Sequence, residues 1–249
     1  MSSQPPVAVV TGAARGIGRA TAVALAKAGM VVVGADIGNG EDSQAELTQL
    51  RSGSTMVAAD ISVASDVARV ATAAADRGDV RAVVNAAGIL SVRDVVDADE
   101  DEWDRVFAVN VKGTYLISRA TIPLLRAAGG GAIVNISSVH ALATVERCAA
   151  YAASKGAVLA LSRQMAIDYA ADGIRVIPLI VGSVDTEMSR QHAAAFGLPS
   201  GHAEPDKPAL GRMAAPEEIA SVIRFLVSSD AAFVTGSPMV ADGGLLTHL

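Results

Sequence analysis

The sequence predicts an α/β fold, a parallel sheet covered by helices on both faces. Three observations predict it. Strand-length apolar runs alternate with Ala-rich, helix-length stretches along the whole chain, the order that builds a parallel sheet with helical crossovers. The first apolar run passes through a glycine-rich turn straight into a helix and then a second strand. No linker, repeat, low-complexity segment or shift of composition divides the 249 residues. One domain spanning residues 1–249 is therefore expected, long enough to bury a large core.

Taken in order, the elements are strand 7–11, helix 16–28, strand 30–35, helix 42–51, strand 55–59, helix 65–77 and strand 81–86. A long helix over about 101–128 follows. Asp99, Glu100 and Asp101 mark its start, where acids complement the helix dipole, and Gly129-Gly130-Gly131 ends it. Next come strand 132–137, helix 151–170, strand 174–181, a loop-plus-helix insert at 186–212, helix 216–228 and strand 237–241, seven strands in all. Pro216 fits the first turn of its helix, where no N–H is needed.

The clearest chemical signal is Tyr151-Ala152-Ala153-Ser154-Lys155, with Ser138 thirteen residues before the tyrosine. Positions i and i+4 of a helix share a face, so phenol and ammonium can point into one site. A free phenol has a pKa of about 10, and a nearby cation favours its ionised form. A serine hydroxyl can hold the oxygen being oxidised or reduced. Together these residues form a general acid/base set for an alcohol–ketone pair, and it needs a hydride carrier.

The N-terminus offers a place for that carrier. Val7-Ala8-Val9-Val10-Thr11 runs into Gly12-Ala13-Ala14-Arg15-Gly16-Ile17-Gly18, then a helix, then Met30 to Ala35 and Asp36. Glycines at such a turn let backbone amides approach a pyrophosphate at a helix N-terminus. The spacing is G-x-x-x-G-x-G rather than the commoner G-x-G-x-x-G. Asp36, 18 residues after Gly18, suits the adenosine ribose hydroxyls and disfavours a 2′-phosphate, so NAD is expected over NADP. Arg15 pulls mildly the other way.

On these residues the chain resembles the short-chain dehydrogenase/reductase family, of the roughly 250-residue type, from Thr11 to Gly244. The resemblance implies a doubly wound Rossmann sheet. Gly12, Arg15, Gly16, Ile17 and Gly18 resemble the family's cofactor turn. Asp60-Ile61 resembles the pair that holds the adenine, and Asn85-Ala86-Ala87-Gly88 the family's fourth-strand signature, which lines the cofactor. Asn110, in Asn110-Val111-Lys112-Gly113, matches the catalytic asparagine, implied to hold a water in a proton relay to the lysine. Ser138, Tyr151 and Lys155 match the other catalytic residues, with Tyr151 and Lys155 also touching the cofactor. The loop of Val184 and Thr186 is implied to contact the nicotinamide amide and phosphates. Pairing of the 101–128 and 151–170 helices across a two-fold axis, within a homotetramer, is implied as well. The small, apolar run Ala152, Ala153, Gly156, Ala157, Ala160 and Leu161 agrees with a second partner for that helix.

The chain departs from the family at residues 175–186. The usual asparagine is Ile177 and the usual proline is Val181, and losing the proline frees φ, so a looser nicotinamide loop is expected. Residues 186–212 take the place of the family's substrate lid, with Gly197, Pro199, Gly201, Pro205 and Pro208 giving an irregular, hinged segment. His140, two after Ser138, is a candidate to hydrogen-bond substrate and is equally consistent with a surface or capping role. Arg93 is a weaker candidate for an anionic substrate. Glu146 and Arg147 are expected in solvent. These polar residues lean toward a sugar, polyol or hydroxy acid.

The bulk numbers exclude several classes. The net charge is −6 with no basic run, which gives nucleic-acid binding no support. Apolar residues make up 51% of the chain, but the longest apolar stretches are strand-length, so no membrane span is expected. Met1 to Pro6 has neither the charged nor the apolar region of a signal peptide. The single cysteine, Cys148, cannot form an internal disulfide, so a reducing, cytoplasmic setting is expected and Cys148 reads as packing or surface rather than chemistry. His192 and His202 have no companion ligand pattern, so no metal site is expected. Two other readings stay open: a 3-oxoacyl thioester reductase of the same family, and a non-catalytic dinucleotide-binding regulator. The intact Asn110, Ser138, Tyr151 and Lys155 argue against the regulator.

Overall fold

The computed structural model describes residues 4–38, 40–197 and 208–248. Its centre is a seven-stranded sheet: β1 (Pro6–Thr11), β2 (Val31–Asp36), β3 (Thr55–Ala58), β4 (Asp79–Asn85), β5 (Gly131–Ser138), β6 (Ile174–Val181) and β7 (Met239–Ala241). The spatial order is β3-β2-β1-β4-β5-β6-β7 with every pair parallel. The chain builds outward from β1 to β3, then returns to lay β4 on the other side of β1. Where that order reverses, a crevice opens at the carboxyl ends of the strands.

Helices α1 (Gly16–Lys27), α2 (Glu41–Leu50), α3 (Ala64–Ala75), α4 (Glu100–Phe107), α5 (Thr114–Ala127), α6 (Ala149–Asp168), α7 (Glu187–Ala195) and α8 (Pro216–Val227) complete the chain. Strand residues alternate between two cores, as the period of 2 requires. Val7 and Val9 join Val67 and Val70 of α3, Ile117 and Leu125 of α5, and Met165 of α6. Ala8 and Val10 join Ala22 and Leu25 of α1 and Ile219 and Ile223 of α8. Both faces of the sheet are thus covered, as the alternation of elements predicts.

The expected long helix over 101–128 differs in one respect. It is α4 and α5 joined by a π-helical segment, Ala108–Gly113, with Asn110 at its buried centre. The Asn110 carbonyl accepts the Thr114 hydroxyl at 2.8 Å, and a Cβ on Gly113 would lie 2.6 Å from Ile61. Wide turns of this kind re-aim a side chain and concentrate at functional sites. Helix α6 begins at Ala149, two residues earlier than expected, and the last strand is shorter.

Ile177 and Val181 are both accommodated within β6. Ile177 is fully buried in the core shared with α8. Val181 pairs with Ser138 on one side and Ala241 on the other. Valine keeps the N–H that proline would lack, so the ladder runs to the strand end, and Gly182 N donates to Ala241 O at 3.1 Å. Pro178 is tolerated inside this strand for a geometric reason. Val176 N, two residues away and on the same edge, donates to Thr235 rather than to β5, and β7 pairs only from Leu179 onward. The missing donor therefore falls where no strand waits for it.

Candidate active site

The catalytic candidates converge at the carboxyl ends of β4, β5 and β6. Ser138 ends β5, and the chain reverses through a short 3₁₀ turn, Val139–Ala141, before α6. Tyr151 and Lys155 then lie one turn apart on α6, with the ammonium 5.7 Å from the phenol ring centre. The Ser138 hydroxyl hydrogen-bonds the phenol. The Lys155 ammonium donates to Ile136 O at 2.9 Å, and Ser137 Oγ donates to Lys155 O at 2.9 Å. The Asn110 amide donates to Ile89 O at 3.0 Å and to Ser154 Oγ at 2.9 Å, and accepts from Ile89 N at 2.8 Å. Its side chain is therefore a clamp between the segment after β4 and α6. The approach is close enough that a Cβ on Gly88 would sit 3.2 Å from Asn110 Oδ1 and 3.4 Å from Lys155 Nζ.

The electrostatics correct one expectation. Lysine was expected to lower the tyrosine pKa; in the chain itself burial prevails and pushes Tyr151 up to about 12. The Ser138 hydrogen bond opposes that shift, and the neighbouring Cys148 thiol adds to it. Burial also draws Lys155 down to about 8. Desolvation disfavours the charged form of each group, which explains the opposite signs.

The glycine turn fits a dinucleotide. Gly12 and Gly16 have φ of 68° and 54°, a region where glycine carries no steric penalty. A Cβ on Gly18 would lie 2.1 Å from Gly12 O, so the turn closes this tightly only with glycine there. Arg15, at the N-cap of α1, makes no side-chain cap, which leaves the first-turn amides to an anion. The Asp36 carboxylate accepts Ala14 N at 3.0 Å at the edge of this turn. Arg15 is joined to Glu187 of α7, which ties the turn to the lid helix. Ile17 lines the cavity below. Asp60 accepts from Ser62 and Ile61 packs on Gly113. Asn85 turns its side chain into the sheet, donating to Asn135 Oδ1 at 2.7 Å. The neighbouring backbone meets the turn instead, Ala86 N and Ala87 N both donating to Thr11 Oγ1 at 3.1 Å. Val184 is buried and Thr186 caps α7 through Ser189, with its methyl against Gly16.

A cavity of about 210 Å³ opens beside Tyr151 and Ser138. It lies below the roughly 300–1,000 Å³ of drug-sized sites. His140 lines it, as does His192 of α7, which sequence reasoning weighed only as a metal ligand. Nothing local in the sequence signals His192; only the tertiary fold carries α7 over the site. Arg93 pairs with Glu102 at 3.7 Å and is not part of the lining. Glu146 and Arg147 are exposed as expected. Residues 198–207, with Pro199, Gly201, His202 and Pro205, lie outside the described residues; Gly197 ends the described part of the insert and Pro208 resumes it.

A family model described as enoyl-(acyl carrier protein) reductase matches residues 12–246. The chain belongs to the short-chain dehydrogenase/reductase family. It is an oxidoreductase of that family. A 2-(S)-hydroxypropyl-CoM dehydrogenase 3 from Xanthobacter autotrophicus is 39% identical over 244 residues, covering 96% of each chain. A cyclopentanol dehydrogenase from Comamonas sp. is 37% identical over 241 residues, again 96% of each. Among solved short-chain dehydrogenase/reductase structures, a 3-ketoacyl-(acyl-carrier-protein) reductase from Brucella melitensis complexed with NADH superposes with a TM-score of 0.87 at 31% identity, covering 98% of this chain and 99% of that one.

Proposed function

We propose that the chain is an NAD-dependent dehydrogenase that interconverts a small, polar secondary alcohol and its ketone. The observation that carries this reading is the meeting of Tyr151 and Ser138 at one small cavity, with the Lys155 ammonium 5.7 Å from the phenol ring centre. Gly12, Gly16, Gly18, Asp36, Asp60, the Asn85–Gly88 segment, Lys155, Val184 and Thr186 would hold the dinucleotide, with Asp36 favouring NAD. The NADH complex of the Brucella relative supports a nicotinamide cofactor. When bound, NAD supplies the hydride acceptor. Ser138 orients the substrate oxygen on Tyr151. In ketone reduction the phenol, protonated at neutral pH because burial holds its pKa high, gives its proton to the forming alkoxide. Alcohol oxidation runs through the phenolate form, which the Ser138 hydrogen bond and the Lys155 cation favour against burial and which takes the substrate proton. Asn110 keeps Ile89 and α6 in place around the lysine.

The 3-oxoacyl thioester reductase reading rests on the Brucella neighbour. The more similar relatives, named 2-(S)-hydroxypropyl-CoM dehydrogenase 3 and cyclopentanol dehydrogenase, favour the secondary-alcohol reading. The deciding experiment is Tyr151→Phe with NAD and a panel of secondary alcohols, read at the NADH absorbance. General acid/base catalysis supplies about 10²–10⁴-fold, so kcat falls by about that much while NAD affinity holds. Near-normal turnover would remove the tyrosine from proton transfer and reopen the regulator alternative.

A further inference from the structure

Residues 182–186 link the two halves of the candidate site. Ser183, Val184, Asp185 and Thr186 line the cavity that Tyr151 and Ser138 share. The Thr186 methyl faces Gly16 of the cofactor turn, 3.4 Å from where a Cβ there would stand. A dinucleotide that starts at that turn and ends in the cavity must pass this segment with its nicotinamide end. What holds the segment comes from distant parts of the chain. Gly182 N donates to Ala241 O at the end of the sheet. Beyond that point Ala214 takes the place of a strand: Ala214 N donates to Ser183 O and Asp185 N donates to Ala214 O, both at 2.9 Å. The result is a parallel bridge between Val184 and Ala214, and Val184 is buried.

Ala214 lies in irregular chain before α8, so it needs an anchor of its own. Arg212 and Glu218 provide one. The guanidinium donates to both carboxylate oxygens, Nη1 to Oε2 and Nη2 to Oε1, each at 2.7 Å. Nη1 also donates to Met213 O at 3.1 Å, and Ala215 N donates to Glu218 Oε2 at 2.8 Å. The chain is thus gripped on both sides of Ala214 and fixed to the first turn of α8. Most exposed ion pairs add little to stability, but a bidentate fork also fixes geometry. The Arg212 hydrogen bonds, and after them the Ala215 amide, draw Glu218 down to about 2, so the carboxylate stays charged in any assay near neutral pH.

We propose that Arg212 and Glu218 are positioning residues for cofactor binding, holding Ala214 as the pairing partner that orders residues 182–186 against the nicotinamide end of NAD. This inference rests on the NAD-dependent reading above. Neither side chain lines the cavity; the pair acts through the backbone of Ala214. A segment that is in place for only part of the time weakens binding by that fraction. The loss falls on the nicotinamide end of the ligand, because the adenosine end is held elsewhere, at the glycine turn and Asp36.

The test measures, by calorimetry, the Kd for NAD and for ADP-ribose, which keeps the adenosine, pyrophosphate and second ribose and lacks the nicotinamide. The proteins are the full chain, Arg212→Met and Arg212→Lys. In Arg212→Met the Kd for NAD rises by about 3-fold or more, as for a segment in place a third of the time, and the Kd for ADP-ribose rises by a smaller factor. Arg212→Lys, which keeps the charge but not the fork, falls between the wild type and Arg212→Met. Glu218→Gln, which also breaks the charged fork, replaces Arg212→Met if that variant does not fold. A merely structural role would weaken both ligands together. Equal factors for the two ligands, or no change in either, therefore overturn the positioning role alone. A wild type that does not bind NAD overturns the NAD-dependent reading and this inference with it.

Discussion

Lys155 provides the sharpest physical test, because its charge is held inside the protein. Its residue exposure is 5%, its ammonium donates to one backbone carbonyl, and burial lowers its pKa from 10.5 to about 8. At and below neutral pH the lysine is protonated in both the folded and unfolded chain, so the full cost of burying the charge is carried. Above pH 8 the folded chain has released the proton while the unfolded chain keeps it up to 10.5. The unfolded state then binds more protons, and stability rises with pH by about 1.36 kcal/mol per unit. From pH 8 to 9.5 that amounts to about 2 kcal/mol. Tyr151, raised to about 12, acts with the opposite sign, but only above about pH 10 and in any variant that keeps the tyrosine. Lys155→Met retains the length of the side chain and removes the titration. Urea unfolding of the cofactor-free proteins at fixed concentration reads the difference. The wild-type minus variant unfolding free energy should be flat from pH 6 to 7.5 and climb by about 2 kcal/mol from pH 8 to 9.5. A difference that stays flat across the whole range would refute a buried, titrating lysine at this position.

Two further outcomes follow from the cofactor turn and the outer helices. Asp36→Ala should lower the preference for NADH over NADPH by at least about 10-fold in kcat/KM, since two charges about 4 Å apart near a surface interact by roughly 4 kcal/mol before screening; a wild type that already works equally well with NADPH contradicts the role given to Asp36. We further propose a homotetramer through the outer surfaces of α4, α5 and α6, where Trp103, Tyr115, Ala153, Ala160 and Ile167 are exposed; light scattering should give four chains at micromolar concentration, and a stable monomer rules the assembly out.

What could be read in the sequence and what could not divide along physical lines. The glycine turn, Asp36 and the Tyr151–Lys155 pair are local patterns: a φ above zero, a strand end and an i,i+4 face are each fixed by a few neighbouring residues. Strand and helix order follow from runs of apolar residues for the same reason. Long-range facts were not legible. The π segment at Asn110 ends on Gly113, which packs against Ile61, 52 positions away. His192 meets His140 only in the tertiary fold, one on α7 and the other in the turn after β5. The pKa direction of Tyr151 depends on how deeply α6 is packed, and the spacing of the tyrosine and lysine says nothing of that. The pairing of Val181 with Ala241 of β7, sixty positions further along the chain, is likewise not legible locally.

Helix α6 also shows why the catalytic geometry is so closely fixed. Its inner face carries Ser154, Lys155 and Ser162 among apolar residues, and each makes a specific hydrogen bond. Ser154 accepts from Asn110 and donates to Tyr151 O at 2.7 Å. Lys155 donates to Ile136 O, and its own carbonyl accepts from Ser137. Ser162 accepts from Asn135 at 2.9 Å, and Asn135 is in turn held by Asn85 in β4. Purely apolar packing would tolerate a helix that slides or rotates by a fraction of a turn, because dispersion contacts are non-directional and can be remade. These polar pegs cannot be remade elsewhere. Displacing α6 by one turn would strand several buried donors and acceptors at once, at about 1–3 kcal/mol each. The register that puts Tyr151 beside Ser138 is therefore held by the buried polar residues of α6.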